Sequence, residues 1–523
     1  MADDGGRGEE EHRGPGGVQV RAKAPAGATA DVLPDVLAGV QADFLAGVIT
    51  KAVALVLVPL LARAPEKVTV HSGNARAEAT TWRPGQHERQ PFVMSRSPLG
   101  PPAPAYRRGM SERLPTSPAF WRSPLRGPRL TSLLGVVLLA GVTLLFVTGL
   151  VSYAAYNPNL SPVNDKTPDK GLLGFYLFAW PTDPPWLYRL NQGTHVTLGI
   201  ALIPVLLAKL WSVVPKLFEL PPARSLGHAL ERLSLLVLVA SALFEFVTGV
   251  LNVQLDYVFP GSFYPLHFYG AWVFFAAFVA HTALKTPTVL RNIRRERGKG
   301  EGEGEIGELV SPRPDPPTVS RRGALQIVGG SSLFLLATTA GQNFDGPLRQ
   351  TAVLAPHGGS EPGSGPGGFQ INKTAAAVGI RTDETSDEAW RLVVEGRRTV
   401  RLSREQLHEL PLYSAALPIA CVEGWSTGNQ WWRGVRLRDL SELAGYDQGQ
   451  EPDLFVESLQ RRGAFRRAAL RDNQVRDPRS LLALYVNGEP LTPDHGYPAR
   501  IIVPAAPGVL NTKWVSRLTF GDL

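Results

Sequence analysis

At 523 residues the chain is too long for one ordinary domain, and its single cysteine, Cys421, excludes intramolecular disulfides, cysteine-ligated iron–sulfur clusters and cysteine-rich zinc sites. The formal net charge is +8, with 54 Lys and Arg against 46 Asp and Glu. Much of this positive charge flanks apolar runs, which indicates a membrane protein with no nucleic-acid partner.

Residues 1–125 are rich in Gly, Ala, Pro and Arg and show little periodicity, so we predict a disordered N-terminal extension. Residues 44–63 contain a hydrophobic stretch interrupted by Lys51, and an additional membrane span is the alternative there. A further hypothesis is that the native chain starts later, for example at Met110, which the mass of the purified protein would test.

Four apolar segments follow, each near the ~20 residues that a helix needs to cross a bilayer. They predict an all-α, four-helix transmembrane domain over residues 126–297, with spans at 130–153, 193–214, 230–253 and 264–284. Basic residues precede the first span and follow the fourth: Arg122, Arg126, Arg129, Lys285, Arg291, Arg294, Arg295 and Arg297. Because cytoplasmic flanks carry the excess of Lys and Arg, both ends are predicted to be cytoplasmic, and the loops 154–192 and 254–263 lie outside.

A weak internal repeat relates the first and third spans. LLFVTGLV carries Thr148-Gly149 and LFEFVTGVL carries Thr248-Gly249, 100 residues further on. Each pair is followed by an outer loop and then by a span with a histidine near its outer end. Gly and Thr are also common packing residues in membrane helices, but the ordered match favours duplication of a helical hairpin.

Ionisable residues inside membrane spans are costly, and they are candidates for function. His267 and His281 lie 14 residues apart, so on a helix they point in similar directions at ~21 Å separation. His195 begins the second span at the outer depth predicted for His267. Neutral imidazoles on two facing helices can supply both axial ligands of a b-type haem. We therefore predict an outer haem at His195 and His267, the alternative being that each histidine only packs.

A second, inner haem is a further hypothesis. Lys209, not a histidine, stands 14 residues after His195. His228, near the inner start of the third span, would pair with His281, which might instead contact a quinone or pack. The histidine positions and span lengths resemble the four-helix b-type cytochromes that serve as membrane subunits of formate dehydrogenases and hydrogenases.

Residues 298–319 form a charged, Gly- and Pro-rich linker before SRRGALQIVGGSSLFLLATTAGQ at 320–342. This twin arginine with a short apolar run resembles a twin-arginine export signal, which moves folded, cofactor-loaded domains. The run would be a signal or remain as a fifth span, and an ordinary helix with basic flanks is the alternative. Each reading places the remaining chain outside. Residues 343–368 are predicted to be a flexible linker.

From residue 369 to 523 the composition is that of a soluble α+β domain. WRLVVEG (390–396) and RIIVPA (500–505) predict strands, and SREQLHEL (403–410) predicts a short capped helix. A lone cysteine such as Cys421 is usually a small buried hydrophobe. The alternatives are a nucleophile, with His495 as its base, and a soft metal ligand.

Two blocks in this region, ACVEGWS with WWRGVRLRDL and YVNGEPLTPDHGYPARIIVPAAPGVLNTKWV, resemble the molybdenum-cofactor domain of the sulfite oxidase superfamily. Within it, the catalytic subunits of periplasmic methionine sulfoxide reductases look most similar. The resemblance implies that Cys421 ligates molybdenum beside the two sulfurs of the pterin. It further implies cofactor contacts at Asn372, Ser458, His495, Arg500, Asn511, Thr512 and Lys513. Arg433 and Arg500 are the candidates for facing a substrate, and a solvated position is the alternative for Arg433.

Together the residues and resemblances predict a multi-pass cell-membrane oxidoreductase, with a molybdopterin domain on the extracytoplasmic face and electrons exchanged with the quinone pool through haem b. Reduction of a sulfoxide or similar oxo compound is the first hypothesis for its reaction. Oxidation of sulfite, with electrons passed to quinone, is the alternative. A different alternative is a non-enzymatic membrane protein that binds haem or a partner and whose outer domain is degenerate.

Overall fold

The computed structural model describes residues 123, 125–160, 178–218, 225–253, 263–295, 317–355, 366–462 and 465–523. All of them belong to one compact unit, Val93–Leu523. The predictions for residues 1–122, including the apolar stretch at 44–63, for residues 298–316 and for residues 356–365 fall outside the described residues. The predicted flexible linker is wrong for residues 343–355, because they include a 3-10 helix at Gly346–Thr351 and bury Arg349 and Ala352.

The first part of the described chain is helical. Its helices are α1 Pro128–Ala154, α2 Leu187–Leu217, α3 Leu226–Asn252, α4 Tyr264–Arg295 and α5 Arg321–Thr339. Each contains a stretch long and apolar enough to cross a membrane. The predicted apolar helices are thereby confirmed.

The helices pack as antiparallel neighbours, α1 against α2 and α3 against α4. An apolar cluster joins α1 to α2 through Leu134 and Leu138 on one side and Leu202 and Val205 on the other. Gly141 allows the close approach, because a Cβ at that position would lie 2.5 Å from Leu202 Cδ1. Many outward-facing side chains of these helices are exposed Leu, Val and Phe, which suits a lipid environment.

The apolar run after the twin arginine forms α5, which packs against α2. Ser320 caps its first turn by accepting a hydrogen bond from Gly323 N at 3.0 Å. Leu325 and Val328 pack against the α1–α2 cluster. In this structure the segment is therefore a helix that packs against the bundle.

The C-terminal part is an α+β domain with two sheets. One has the strand order β2-β1-β10-β5-β6, in which β1 and β10 are parallel, and the other has the order β3-β4-β7-β8, with β9 also paired to β7. The strands are β1 Leu392–Glu395, β2 Val400–Leu402, β3 Tyr413–Leu417, β4 Gln430–Arg436, β5 Leu454–Ser458, β6 Arg467–Leu470, β7 Leu481–Val486, β8 Glu489–Pro490, β9 Arg500–Ile502 and β10 Val515–Phe520. The short helices are α6 Thr382–Thr385, α7 Arg404–Glu409, α8 Leu437–Leu443 and α9 Asp472–Arg476.

Local sequence explains several of these elements. Ser403 and Gln406 form a reciprocal capping box at the start of α7, which confirms the predicted capped helix. Alternating apolar residues place Leu392 and Val394 of β1 in the core, together with Leu482 and Leu484 of β7. This core holds the two sheets together and leaves the β3–β4 connection free to form a site.

Candidate active site

The lone cysteine lies in the connection between β3 and β4, residues 418–429, which we call the Cys421 loop. Cys421 N donates to Trp425 O at 2.8 Å, and Gly424 N donates to Cys421 O at 3.2 Å, so the loop is a tight turn. Gly424 has φ +89°, a left-handed conformation that favours glycine. Ala420 pairs with Ser426 on one side and with Pro507 on the other, which fixes the loop to the segment after β9.

The Cys421 thiol is almost fully enclosed, with 4% of the residue exposed. Its Sγ lies 3.5 Å from Glu423 Oε2. Burial and the neighbouring Glu423 carboxylate raise the pKa of the Cys421 thiol well above its ordinary value. A thiol in these surroundings is inert as a nucleophile, whereas a bound metal cation would deprotonate it.

The structure brings together five of the predicted cofactor residues around the start of β9 and the segment before β10. Arg500 Nη1 donates to His495 O at 3.0 Å, and Arg500 Nη2 donates to Asn511 O at 3.2 Å. Lys513 Nζ donates to the backbone oxygens of Lys373 and Asp494 at 2.8 and 2.9 Å. Arg500, His495, Asn511 and Thr512 are all buried.

This cluster holds hydrogen-bond donors that have no partner. Arg500 Nε, Asn511 Nδ2 and Thr512 Oγ1 are buried without a hydrogen bond. Burial lowers the pKa of Arg500 to about 9. Burial, and then repulsion by Arg500, lowers the pKa of Lys513 to about 7. Buried cations and unmet donors at one place are the complement of an anionic ligand with several acceptor oxygens. The residues present therefore fit a phosphate-bearing cofactor.

Without such an anion, Lys513 should make the stability of the domain depend on pH. Its folded pKa of about 7 lies below its ordinary value of 10.5, so between these values the unfolded chain binds more protons. The melting temperature of cofactor-free protein should therefore rise from pH 7 to pH 9. Tryptophan fluorescence during heating checks this, and Lys513→Met should flatten the rise. An equal rise in Lys513→Met and in the exposed-site control Arg433→Gln would contradict this assignment.

Two further predicted contacts lie beside Lys513. Ser458 Oγ donates to Lys513 O at 2.7 Å, which ties the end of β5 to the last loop. Asn372 is exposed, in the segment whose Lys373 O accepts the Lys513 ammonium. The structure thus puts Ser458 in contact with the Lys513 backbone and leaves the Asn372 side chain outside the buried cluster.

Arg433 is placed differently from Arg500. Trp432 is fully buried, and its ring lies 5.1 Å from the Arg500 guanidinium. Neighbouring residues on a strand point to opposite faces, and Arg433 is exposed on β4, with its guanidinium 5.7 Å from the Tyr485 ring. The structure does not bring Arg433 to the face of the sheet that Arg500 occupies.

Sequence reasoning missed the contribution of the helical bundle to the surroundings of Cys421. Tyr156, Trp180 and Tyr188 form one apolar cluster with Ala420, and Val422 packs against it. The Cys421 thiol is close enough to Tyr156, Tyr188 and Lys513 to interact with each electrostatically. Cys421 therefore lies between the cationic cluster and a wall of aromatic residues. The Trp and Tyr residues between the first two predicted spans, among them Trp180 and Tyr188, are the sequence signal for this wall.

The bundle and the C-terminal domain are also joined by polar contacts. Trp180 Nε1 donates to Ala505 O at 2.7 Å, and Arg479 Nη1 donates to Asp183 Oδ1 at 2.7 Å. Asn157 Nδ2 donates to Ala469 O at 3.1 Å. These contacts fix the C-terminal domain against the segments at the ends of α1 and α2.

The two histidines predicted to act together are neighbours in the structure. The ring centres of His195 on α2 and His267 on α4 are 6.2 Å apart, and the ring planes are nearly perpendicular, at 88°. His195 Nδ1 lies 3.0 Å from Thr148 Oγ1, and His267 Nδ1 lies 2.9 Å from Thr248 Oγ1. The sequence repeat therefore has a structural counterpart, since each repeat threonine contacts one histidine.

The threonine contacts assign the histidine tautomers. Thr148 Oγ1 donates to Leu144 O at 2.8 Å, and Thr248 Oγ1 donates to Phe244 O at 2.8 Å. Each hydroxyl has therefore used its hydrogen and accepts one from the imidazole Nδ1. Each Nε2 then carries a lone pair, which is the arrangement that metal-binding histidines require.

Glu245 adds an acidic group beside one of the two histidines. Its Oε2 lies 3.2 Å from His267 Nδ1, and its Oε1 is buried without a hydrogen-bond partner. Sequence reasoning missed Glu245, although a glutamate inside an apolar run is a candidate for function.

The inner histidines are not shown as a pair. His281 interacts electrostatically with Lys209, Lys285 and Glu231, and His228 is not among these partners. Lys209, at the position where the sequence lacks a histidine, donates from Nζ to Thr131 O at 2.6 Å. The His228–His281 haem remains a prediction.

Comparisons with known proteins bear on the C-terminal domain. Residues 379–522 match the family model described as the oxidoreductase molybdopterin binding domain. The chain is 35% identical over 133 residues to the uncharacterized oxidoreductase YuiH of Bacillus subtilis and 31% identical over 147 residues to mitochondrial sulfite oxidase of Homo sapiens. It is also 38% identical over 94 residues to the NAD(P)H nitrate reductase of Hordeum vulgare.

These matches cover 25%, 24% and 17% of this chain and 65%, 27% and 10% of the three relatives. The chain thus spans less than two thirds of each relative. The matched part is a molybdopterin-binding oxidoreductase domain of the sulfite oxidase type, which confirms the molybdenum cofactor and the enzyme class predicted from the sequence. Helices α1–α5 lie outside the residues matched by the family model.

Proposed function

We propose that this chain is a membrane-bound oxidoreductase that removes an oxygen atom from a small sulfoxide or similar oxo compound, using electrons that reach its molybdenum cofactor from the quinone pool through a b-type haem. The observation that carries the proposal is the position of Cys421. It lies between a buried cationic cluster and the region where α1 ends, near Tyr156, and α2 begins, at Leu187. The two predicted redox sites would then lie on opposite sides of one packed interface.

The residues of the C-terminal domain would hold the cofactor in distinct ways. Cys421 would supply a soft thiolate to the metal. Arg500 and Lys513 would neutralise the phosphate, and the unmet donors of Asn511 and Thr512 would bind further acceptor atoms. When bound, the cofactor supplies two-electron oxygen-atom transfer.

The two histidines of the bundle fit an axial ligand pair. Their ring centres are 6.2 Å apart, about the separation of two imidazoles that bind one metal ion from opposite sides through bonds of about 2.0–2.1 Å. Gly149 and Gly249 leave room for the rings, because a Cβ there would lie 3.2 and 3.4 Å from Cε1 of His195 and His267. Matching threonine and glycine contacts on both histidines support a shared ligand.

The aromatic wall supports a small and neutral substrate. Tyr156, Trp180 and Tyr188 bring no formal charge to the bundle side of Cys421, and all three are buried. A sulfoxide takes up two electrons and two protons and yields a sulfide and one water. The haem would deliver the two electrons one at a time, each time changing from the ferrous to the ferric state.

Sulfite oxidation is a second candidate, and a specific observation favours it. The relative from Homo sapiens is named sulfite oxidase, and Arg500 and Lys513 form a cationic cluster close to Cys421. In that direction sulfite and water would yield sulfate, two protons and two electrons, which would pass through the haem to quinone.

The membrane arrangement is part of the proposal. Five apolar helices support insertion, and the basic residues that flank the first four helices support cytoplasmic ends for that set. The twin arginine at the start of α5 would then serve export of the folded molybdopterin domain to the extracytoplasmic face.

The test uses full-length protein purified in detergent. Its haem is reduced with a limiting amount of dithionite, and the visible spectrum is followed after methionine sulfoxide is added. Reoxidation of a b-type band supports the proposal. If the reduced haem band does not change after methionine sulfoxide is added, this substrate is excluded. Sulfite is then added to oxidised protein, and appearance of the reduced haem band would support the second candidate. A protein without molybdenum, made in a host that synthesises the cofactor, would favour a degenerate binding domain.

A further inference from the structure

Three side-chain pairs connect α1, and the turn that directly follows it, to α2 in a regular series. Thr148 Oγ1 contacts His195 Nδ1 at 3.0 Å, and Ser152 Oγ donates to Gln192 Oε1 at 2.7 Å. The hydroxyls of Tyr156 and Tyr188 lie 3.4 Å apart. We call these three pairs the polar ladder.

The spacing of the ladder follows from helix geometry. Positions 148, 152 and 156 are four residues apart, and positions 195, 192 and 188 are three and four residues apart. Side chains at these intervals lie on one face of a helix. Two antiparallel helices that present such faces to each other bring the residues together pair by pair. The ladder is therefore one continuous polar seam between two apolar helices.

The middle pair of the ladder contacts the Cys421 loop. Gln192 Nε2 donates to Val422 O at 2.5 Å, directly beside Cys421. Gly424 lies against Val196, where an added Cβ would be 2.5 Å from Val196 Cβ. The loop thus rests on the turn of α2 that carries His195.

One end of the ladder is His195, the predicted haem ligand. His195 lies three residues after Gln192 on α2, and Thr148 lies four residues before Ser152 on α1. Gln192 and Ser152 are both buried. The ladder therefore runs from the backbone next to Cys421 to the predicted haem ligand without leaving the interior.

Hydrogen bonds between membrane helices often do no more than stabilise the bundle. Asn191 provides such a case, because its Nδ2 donates to Thr148 O at 2.9 Å and stays within the bundle. Gln192 differs because its amide joins α1 through Ser152 and the Cys421 loop through Val422 at the same time. It is the rung that links two separate parts of the fold.

We infer that the polar ladder, with Gln192 as its positioning residue, holds the Cys421 loop on the His195 turn and so sets the rate at which electrons pass between the molybdenum cofactor and the haem. This inference rests on the proposed function, because it needs both cofactors. In the reductase direction each transfer oxidises one ferrous haem to ferric, and two transfers with two protons from water complete the reduction of one sulfoxide. The structure assigns to Gln192 no contact with substrate, so its role is positional.

The test compares Gln192→Leu with wild type and with Asn191→Leu, which removes a neighbouring interhelical amide. In rapid-mixing experiments the transfer is started by adding methionine sulfoxide to dithionite-reduced protein or, for the second candidate, by adding sulfite to oxidised protein. We expect haem oxidation or reduction to slow about tenfold or more in Gln192→Leu, with unchanged molybdenum and haem content, and to stay near wild type in Asn191→Leu. An equal rate in Gln192→Leu and wild type overturns the inference.

A second pair of variants guards against poor folding of Gln192→Leu. Ser152→Ala removes one rung and should slow the transfer, whereas Ser152→Thr keeps the hydroxyl and should restore it. Equal rates in these two variants would speak against the ladder.

Hydrogen exchange separates the inference from the proposed function. Amides of the Cys421 loop, such as Cys421 N and Gly424 N, bond within the loop, and they should exchange faster in Gln192→Leu than in Asn191→Leu. If no substrate changes the haem spectrum of wild-type protein, the proposed function fails. The exchange experiment still tests whether the polar ladder holds the Cys421 loop, because unchanged exchange of the loop amides in Gln192→Leu overturns that inference.

Discussion

Replacement of Cys421 by serine should lower oxygen-atom transfer by more than ~100-fold, because changes around a bound metal cost 10–100-fold even when they spare its direct ligands. The substitution exchanges a soft sulfur for a harder oxygen and changes the volume little. Cys421 is 4% exposed, and its backbone is held by Trp425 O and Gly424 N. The fold should therefore survive, and the loss should report on the metal.

The measurement is turnover per molybdenum, together with the haem spectrum and metal content. In Cys421→Ser the dithionite-reduced haem band should persist after methionine sulfoxide is added. Thr427→Ser is the matched control, because it lies in the same loop and keeps the hydroxyl that accepts from Ile419 N at 2.9 Å. Near wild-type turnover in Cys421→Ser would make Cys421 a buried hydrophobe and exclude the proposed site.

The helices could be predicted because an apolar run of this length satisfies its own backbone hydrogen bonds in a bilayer by forming a helix. Their limits were harder to predict. The second span was placed at 193–214, and α2 begins at Leu187. Tyr188 and Gln192 lie in the added turns, and they face α1 and the Cys421 loop, not lipid. A span predicted from apolar residues stops at the first polar residues, even where the helix continues and those residues contact other parts of the protein.

The clustering of Arg500, Asn511, Thr512 and Lys513 could be predicted because one sequence block, residues 485–515, carries all four. Arg500, Asn511, Thr512 and Lys513 come together through backbone contacts across one short segment. Arg433 shows the limit of this approach. WWRGV lies in β4, where alternation buries Trp432 and exposes Arg433, so membership of a matched block does not bring a side chain to the site.

The contact between the two domains could not be predicted from the sequence. Gln192 and Val422 are 230 residues apart along the chain, and Gln192 stands in no motif. Asn157 reaches Gln474 over 317 residues at 2.8 Å. Such pairs depend on how the helical bundle packs against the α+β domain. The composition and periodicity of either part do not indicate how the two parts pack together.

Replacement of His195 by leucine should remove the outer haem. A haem with two histidine ligands loses one axial bond, and the paired hydrogen bond to Thr148 is lost as well. Leucine suits an apolar helix, so α2 should still form. We expect the haem content per chain to fall by one, and His267→Leu should give the same result, because the two rings face one site.

The pyridine haemochrome assay on purified protein measures this directly, and His281→Leu is the matched control within the bundle. His281→Leu should leave the outer site intact, so its redox titration should keep the outer component that His195→Leu loses. If His195→Leu retained the wild-type haem content and midpoint potential, His195 would be a packing residue. Electrons would then need another route to Cys421, and the contact between the His195 turn and the Cys421 loop would serve docking alone, because α2 would carry no redox centre.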